Sequence, residues 1–88
     1  MNYRVDWNAV RSELDRILEE APDPAAILRA VLRLDAALGY CPERTSESRE
    51  GNSRIAIEPP LVATLRVDET ASKVHVSRLR FYERPEIK

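Results

Sequence analysis

The hydrophobic period of this chain changes once, from 3.6 residues to 2, and that change limits the folds open to it. Apolar side chains recur at helical spacing from Trp7 to Leu38, then alternate from Ile55 to Val76. A helical half followed by a strand half within 88 residues implies a single α+β domain over residues 1–88. A second independent core would need about 50 residues of its own.

In the helical half, Tyr3 and Val5 alternate with Arg4 and Asp6, which suits a short first strand. Asn8 or Asp6 can cap the helix that follows, because a short side-chain oxygen accepts from the free N–H groups of a first turn. Trp7, Val10, Leu14, Ile17 and Leu18 share one face of that helix, and Pro22 ends it. Asp23-Pro24 starts a second helix as cap and first residue, with Ile27, Leu28, Val31, Leu34 and Leu38 as its apolar stripe. Leu32 falls off the stripe, and Gly39 is the expected stop. The short connection makes the two helices an antiparallel hairpin.

Residues 40–53 are polar and read as a loop. Ile55 and Ile57 then alternate with polar neighbours, Pro59-Pro60 turns the chain, and Leu61, Ala63, Leu65 and Val67 line one face of the next strand. Val74 and Val76 open a third strand whose phase slips to Leu79 and Phe81, the signature of one extra residue in a β-bulge. Residues 82–88, with Pro85, read as a polar tail.

The expected helices span residues 8–20 and 24–38, and the expected strands 53–58, 61–67 and 73–81. The expected architecture is a short N-terminal strand and a helix hairpin packed on one face of a small, mostly antiparallel sheet. Trp7, Leu14, Ile17, Val31, Leu34, Ile55, Ile57, Leu65 and Val76 are expected to be largely buried. The opposite sheet face is expected to carry Arg54, Glu58, Val62, Thr64, Arg66, His75 and Ser77.

Composition narrows the function. Net charge is −1, but residues 1–43 hold five Arg against eight acids, whereas residues 44–88 hold nine Lys/Arg against seven. Such a polarity permits a local anionic partner without the strong basic excess of a dedicated nucleic-acid binder. Cys41 is the lone cysteine, which excludes an internal disulfide, and no apolar run approaches a membrane span. The expected location is cytoplasmic, with no membrane partner. One Cys and one His cannot furnish a usual zinc site, no nucleotide-binding motif occurs, and no cofactor is expected.

Candidate chemistry rests on the strand half. His75 can act as acid or base and Tyr82 as acid, while Arg54, Arg66, Arg78, Arg80 and Arg84 can hold phosphate through their guanidinium forks. Read without function, His75 is a polar residue on an exposed face, and the arginines are a solvated strand end that discourages edge pairing.

Several segments, in order, carry a resemblance. They are the Trp7-led helix ending in Ile17-Leu18, Leu34-Asp35-Ala36-Ala37-Leu38, Glu47-Ser48-Arg49-Glu50-Gly51-Asn52-Ser53-Arg54-Ile55, and Pro59-Pro60-Leu61. Leu65-Arg66-Val67-Asp68-Glu69 and Val74-His75-Val76-Ser77-Arg78-Leu79 complete the set. Over about residues 7–81 the chain resembles the RelE/ParE superfamily of toxins from type II toxin–antitoxin systems, often called plasmid-stabilisation proteins. The resemblance implies a toxin neutralised by a cognate antitoxin. The off-stripe Leu32 and the exposed Val62 beside Thr64 are expected docking positions for it, and the same surface is expected to make the isolated chain a homodimer through the sheet edge or helix face. The resemblance also implies either binding to a gyrase-type or translational target, or metal-independent cleavage of messenger RNA on the ribosome. A homologue that keeps only partner binding is a third form. RelE-like members use lysines, an arginine inside the sheet, and an arginine and tyrosine near the C-terminus. This chain has only Lys73 and Lys88, and its inner strand reads Leu61-Val62-Ala63-Thr64-Leu65 with no arginine before Arg66. Arg80, Tyr82 and Arg84 are the positions that carry over, with His75 added as a catalytic candidate.

Overall fold

The computed structural model describes residues 2–82, so most of the polar tail, Arg84 included, lies outside the described residues. The chain runs β1 (Arg4–Asp6), a 3-10 turn (Asn8–Val10), α1 (Arg11–Glu20), α2 (Pro24–Tyr40), α3 (Pro42–Thr45), β2 (Ser46–Ser48), β3 (Ser53–Glu58), β4 (Leu61–Asp68) and β5 (Lys73–Phe81). The sheet order is β1-β5-β4-β3-β2. Every pairing is antiparallel except β1 with β5, which is parallel. Among the described residues no helix is long and apolar enough to cross a membrane.

The helix starts follow their local chemistry. Asp6 Oδ1 accepts from the Asn8 N–H at 2.9 Å, and the chain enters α1 through one tight 3-10 turn rather than a full α-turn. Asp23 Oδ1 accepts from the Ala26 N–H at 3.3 Å, with Pro24 as the first helical residue. Gly39 does not stop α2, which continues to Tyr40 and gives way at Pro42, a residue without the N–H that a longer helix would need. Glycine at 39 instead allows a close approach. The Tyr3 N–H donates to Gly39 O at 2.7 Å, and a Cβ at 39 would stand 3.3 Å from Tyr3 O.

The core lies between the helix layer and one sheet face. Ile27, Ala30, Leu34 and Leu38 of α2 meet Ala56, Leu61, Ala63, Leu65, Val74 and Leu79 of the sheet, all buried. Ile17, Leu34, Leu65 and Val76 are buried as expected, whereas Trp7, Leu14, Val31 and Ile55 are only half-buried. Trp7 sits at the core margin, where its Nε1 donates to Asp35 Oδ1 at 2.8 Å.

The phase of β3 is the reverse of the one expected. Ile57 is 55% exposed and Ala56 fully buried. The register explains this: Ala56 lies opposite Ala63, and cross-strand partners share a face. Ala63 belongs to the buried set of β4, so Ala56 points at the helices while Ile55 and Ile57 point away. Arg54 and Glu58 therefore stand on the helix side, where Glu58 meets Arg33 at 3.6 Å. Leu28 is a second correction: it is 49% exposed, on the same outward line of α2 as Leu32.

The bulge is where the phase slip puts it. Thr64 pairs with Arg78 and Leu65 with Val76, which leaves Ser77 as the extra residue, its Oγ donating to Thr64 O at 3.2 Å.

The segment expected as loop contains α3 and β2, and Arg54 holds them. Its Nε donates to Ser46 Oγ at 2.6 Å and its Nη2 to Ser46 O at 2.9 Å and Glu43 O at 3.2 Å. Ser46 Oγ in turn donates to Pro42 O at 2.6 Å and is buried. Arg54→Met should lower unfolding free energy by about 1.5–3 kcal/mol, since it removes charge-assisted bonds and strips a buried hydroxyl of a donor. A urea midpoint equal to that of the unmutated chain would show that these bonds contribute nothing net.

Candidate functional site

The sheet face turned away from the helices gathers most of the candidate residues. In the β4–β5 ladder Arg66 stands opposite His75, Thr64 opposite Arg78, and Val62 opposite Arg80. Side chains alternate along a strand, so Lys73 and His75 share this face with Arg78 and Arg80 once the bulge has restored the phase. The parallel pairing with β1 sets Asp6 beside His75 and Arg4 beside Lys73. The result is a cationic ridge along β5: Arg4, Lys73, Arg66, Arg78 and Arg80, with His75 among them. Among the described residues none of these five cations is within ion-pair distance of a carboxylate. Unpaired guanidinium groups keep their forks available for a phosphate or carboxylate.

His75 is the most constrained member. Its Nδ1 lies 3.8 Å from Asp6 Oδ2, an ion-pair distance when the imidazole is protonated and too long for a hydrogen bond. Asp6 is fixed by its cap to Asn8, so the imidazole has a carboxylate on one flank and Arg66 on the other. The carboxylate beside His75 is thus Asp6, and the neighbouring Ser77 Oγ is engaged with Thr64 O.

Beside the ridge the face turns apolar. Ile55 lies opposite Thr64 and Ile57 opposite Val62, so the centre of the face offers methyl groups and one hydroxyl but no cation. Glu47 of β2 adds a carboxylate opposite Ile55.

The other candidates are dispersed. Arg54 is on the helix side, engaged with Ser46 and Glu43. Leu32, 68% exposed, is on the outer surface of the helix layer, across the molecule from Val62 and Thr64. Tyr82 follows β5, its N–H donating to Pro60 O at 3.1 Å. Tyr82 lies seven positions beyond His75, one of them the bulge, which leaves about 20 Å of strand at 3.3 Å per residue, so the two do not flank one phosphate. Arg4 and Lys73 are members of the ridge that the sequence reading missed. Period-two alternation could have put Lys73 in phase with His75, but nothing local announces the parallel pairing that delivers Arg4. Among the described residues no group of His, Cys, Asp or Glu is placed to hold a metal ion.

A helix hairpin on one face of a five-stranded, mostly antiparallel sheet that includes the short first strand is a RelE-like fold. One solved chain with this fold comes from the toxin–antitoxin complex RelBE2 of Mycobacterium tuberculosis. It aligns with a TM-score of 0.75 over 93% of this chain and 100% of that chain, at 22% sequence identity. At that identity the likeness establishes a shared fold. No family model matches the chain, and no curated protein matches it.

Proposed function

We propose that this chain is the toxin component of a toxin–antitoxin pair, acting by binding an anionic target through the β5 ridge and neutralised by a cognate antitoxin. The observation that carries the reading is the set of five cations on the open face of a RelE-type sheet, none of them paired with a carboxylate among the described residues. Guanidinium and ammonium groups spread along one strand suit a run of backbone phosphates, or an acidic protein surface, better than a single small ion. The missing cation at the centre of the face, and the distance between His75 and Tyr82, favour binding over cleavage.

The edge of β5 offers the antitoxin a place. β1 covers β5 only over Lys73–His75, which leaves the rest of β5 without a strand neighbour on that side among the described residues. A groove lined by Glu13, Ile17, Glu20, Leu79 and Phe81 runs beside that edge. An extended segment there would gain backbone hydrogen bonds from the strand and specificity from alternate side chains.

One observation favours a second reading, a ribosome-dependent messenger-RNA endonuclease: the contiguous Asp6, His75 and Arg66. A histidine flanked by a carboxylate can take the 2′-hydroxyl proton while arginines stabilise the crowded phosphate.

Induced expression in a bacterial host separates these readings. Growth arrest with intact messengers, relieved by the product of the neighbouring reading frame, is the expected outcome. DNA-damage signalling would then mark a gyrase-type target, and stalled translation a ribosomal one. Messengers cut at ribosome A-site codons would establish the enzyme instead, and unimpaired growth would refute the toxin reading.

A further inference from the structure

The open sheet face is graded across its strands as well as along them. Arg78, Thr64, Ile55 and Glu47 stand side by side on β5, β4, β3 and β2, and Arg80, Val62 and Ile57 form the next row. With neighbouring strands about 4.8 Å apart, each row runs from a guanidinium to methyl groups, and the first ends on a carboxylate about 14 Å away. Glu47 is exposed, and among the described residues no cation lies within ion-pair distance of it. The aliphatic half is open to solvent: Ile57 is 55% exposed, and Ile55 and Val62 are half-buried beside it.

This grading discriminates between the two kinds of anionic target. A nucleic-acid backbone following β5 would leave the isoleucines in water, and one crossing the strands would run onto Glu47. Unpaired bases are held by stacking on aromatic rings, and no aromatic ring stands in either row. A polypeptide uses all three zones, with acids on the arginines, aliphatic side chains on Ile55, Ile57 and Val62, and a base on Glu47. Its backbone must satisfy itself there, because the N–H and C=O groups of a sheet bond to neighbouring strands and none rises from its face. A helix does so, and its width of about 10–12 Å with side chains fits between the arginines and Glu47.

We propose that the anionic target of this chain is an amphipathic helix of a partner protein, laid along β3 and β4. Its acidic edge lies over Arg78 and Arg80, its apolar stripe on Ile55, Ile57 and Val62, and its basic edge over Glu47. This rests on the binding reading of the β5 ridge and adds the class of macromolecule that the ridge engages. The contact is small, so its affinity falls in the micromolar range of transient interfaces.

The test is a titration of the full chain followed through its backbone amide resonances. The probe is a helical peptide of about four turns, with leucines on one face, glutamates along one edge of that face and lysines along the other. A side-chain link on its far side holds it helical, because so short a helix is marginal alone. Saturable shifts are expected at Ile55, Ile57, Val62 and Thr64, with a dissociation constant below about 500 μM. Exchanging the peptide's lysines for glutamates should weaken binding about threefold or more, and Glu47→Lys should restore it. Ile55→Thr with Ile57→Thr keeps β-branched residues in the strand and should weaken binding about tenfold or more. RNA of about 12 nucleotides, single-stranded or duplex, should bind more weakly than the peptide at about 150 mM salt. In cells the isoleucine pair and Glu47→Lys should each relieve growth arrest, whereas a nucleic-acid target would make Glu47→Lys more toxic. No shifts up to about 1 mM peptide, or binding indifferent to the edge charges, would overturn the proposal. So would RNA that binds more tightly than the peptide, or growth arrest that survives the isoleucine substitutions. No growth arrest from the unmutated chain would refute the toxin reading instead, while the titration still decides what the face takes.

Discussion

Leu34→Ala is expected to lower the unfolding free energy by about 2–5 kcal/mol, whereas Ile57→Ala is expected to cost less than about 1 kcal/mol. Leu34 is 1% exposed at the centre of the contact between α2 and the sheet, so its removal leaves a cavity that the surrounding helix and strands cannot close. Ile57 is 55% exposed on the open face, and its truncation returns to water little that had left it. A domain of this size has a total stability of about 4–13 kcal/mol, so the first change consumes a large part and the second almost none. Urea denaturation with equal slopes measures both. Equal losses at the two positions would mean that β3 presents its other face to the core.

Simultaneous Arg66→Ala, Arg78→Ala and Arg80→Ala substitution is expected to abolish growth arrest without changing the denaturation midpoint by more than about 1 kcal/mol. All three side chains are exposed and none is paired with a carboxylate among the described residues, so the native fold loses little with them. Charge-assisted contacts contribute at least about 1 kcal/mol each, which puts the combined loss of target affinity at about 100-fold or more. The matched control removes the same charge from the helix layer, as Arg11→Ala, Arg16→Ala and Arg29→Ala. Loss of toxicity in both triples would make net charge, rather than the β5 ridge, the active property. Retention in both would remove cations from the mechanism.

The helices and the three long strands are legible in the sequence because each buries a periodic stripe, and the bulge is legible because the stripe breaks step once. β3 misleads for a definite reason. Its isoleucines are the more hydrophobic residues, yet the position facing α2 holds Ala56, opposite Ala63, so local hydropathy points the strand the wrong way round. α3 and β2 escape notice because Arg54 and Ser46 hold them through hydrogen bonds, which leave no period behind. The candidate site divides in the same way. Arg66, His75, Arg78 and Arg80 follow from alternation and the bulge. Arg54 depends on the phase of β3, and Arg4 on a pairing between strands from opposite ends of the described chain.

That last pairing has a consequence for the order in which the molecule takes shape. The β3–β4–β5 meander joins strands adjacent in sequence and closes short loops, which costs little chain entropy. The parallel contact of β1 with β5 spans nearly the whole described chain and belongs with the high-separation contacts that slow folding. Asp6 reaches His75 only through that contact, and Arg4 reaches Lys73 the same way. During synthesis β1 emerges before β5 and cannot dock until β5 has been made. The carboxylate–imidazole end of the ridge therefore exists only while β1 is docked, and a chain that opens there keeps Arg66, Arg78 and Arg80 in their ladder without it.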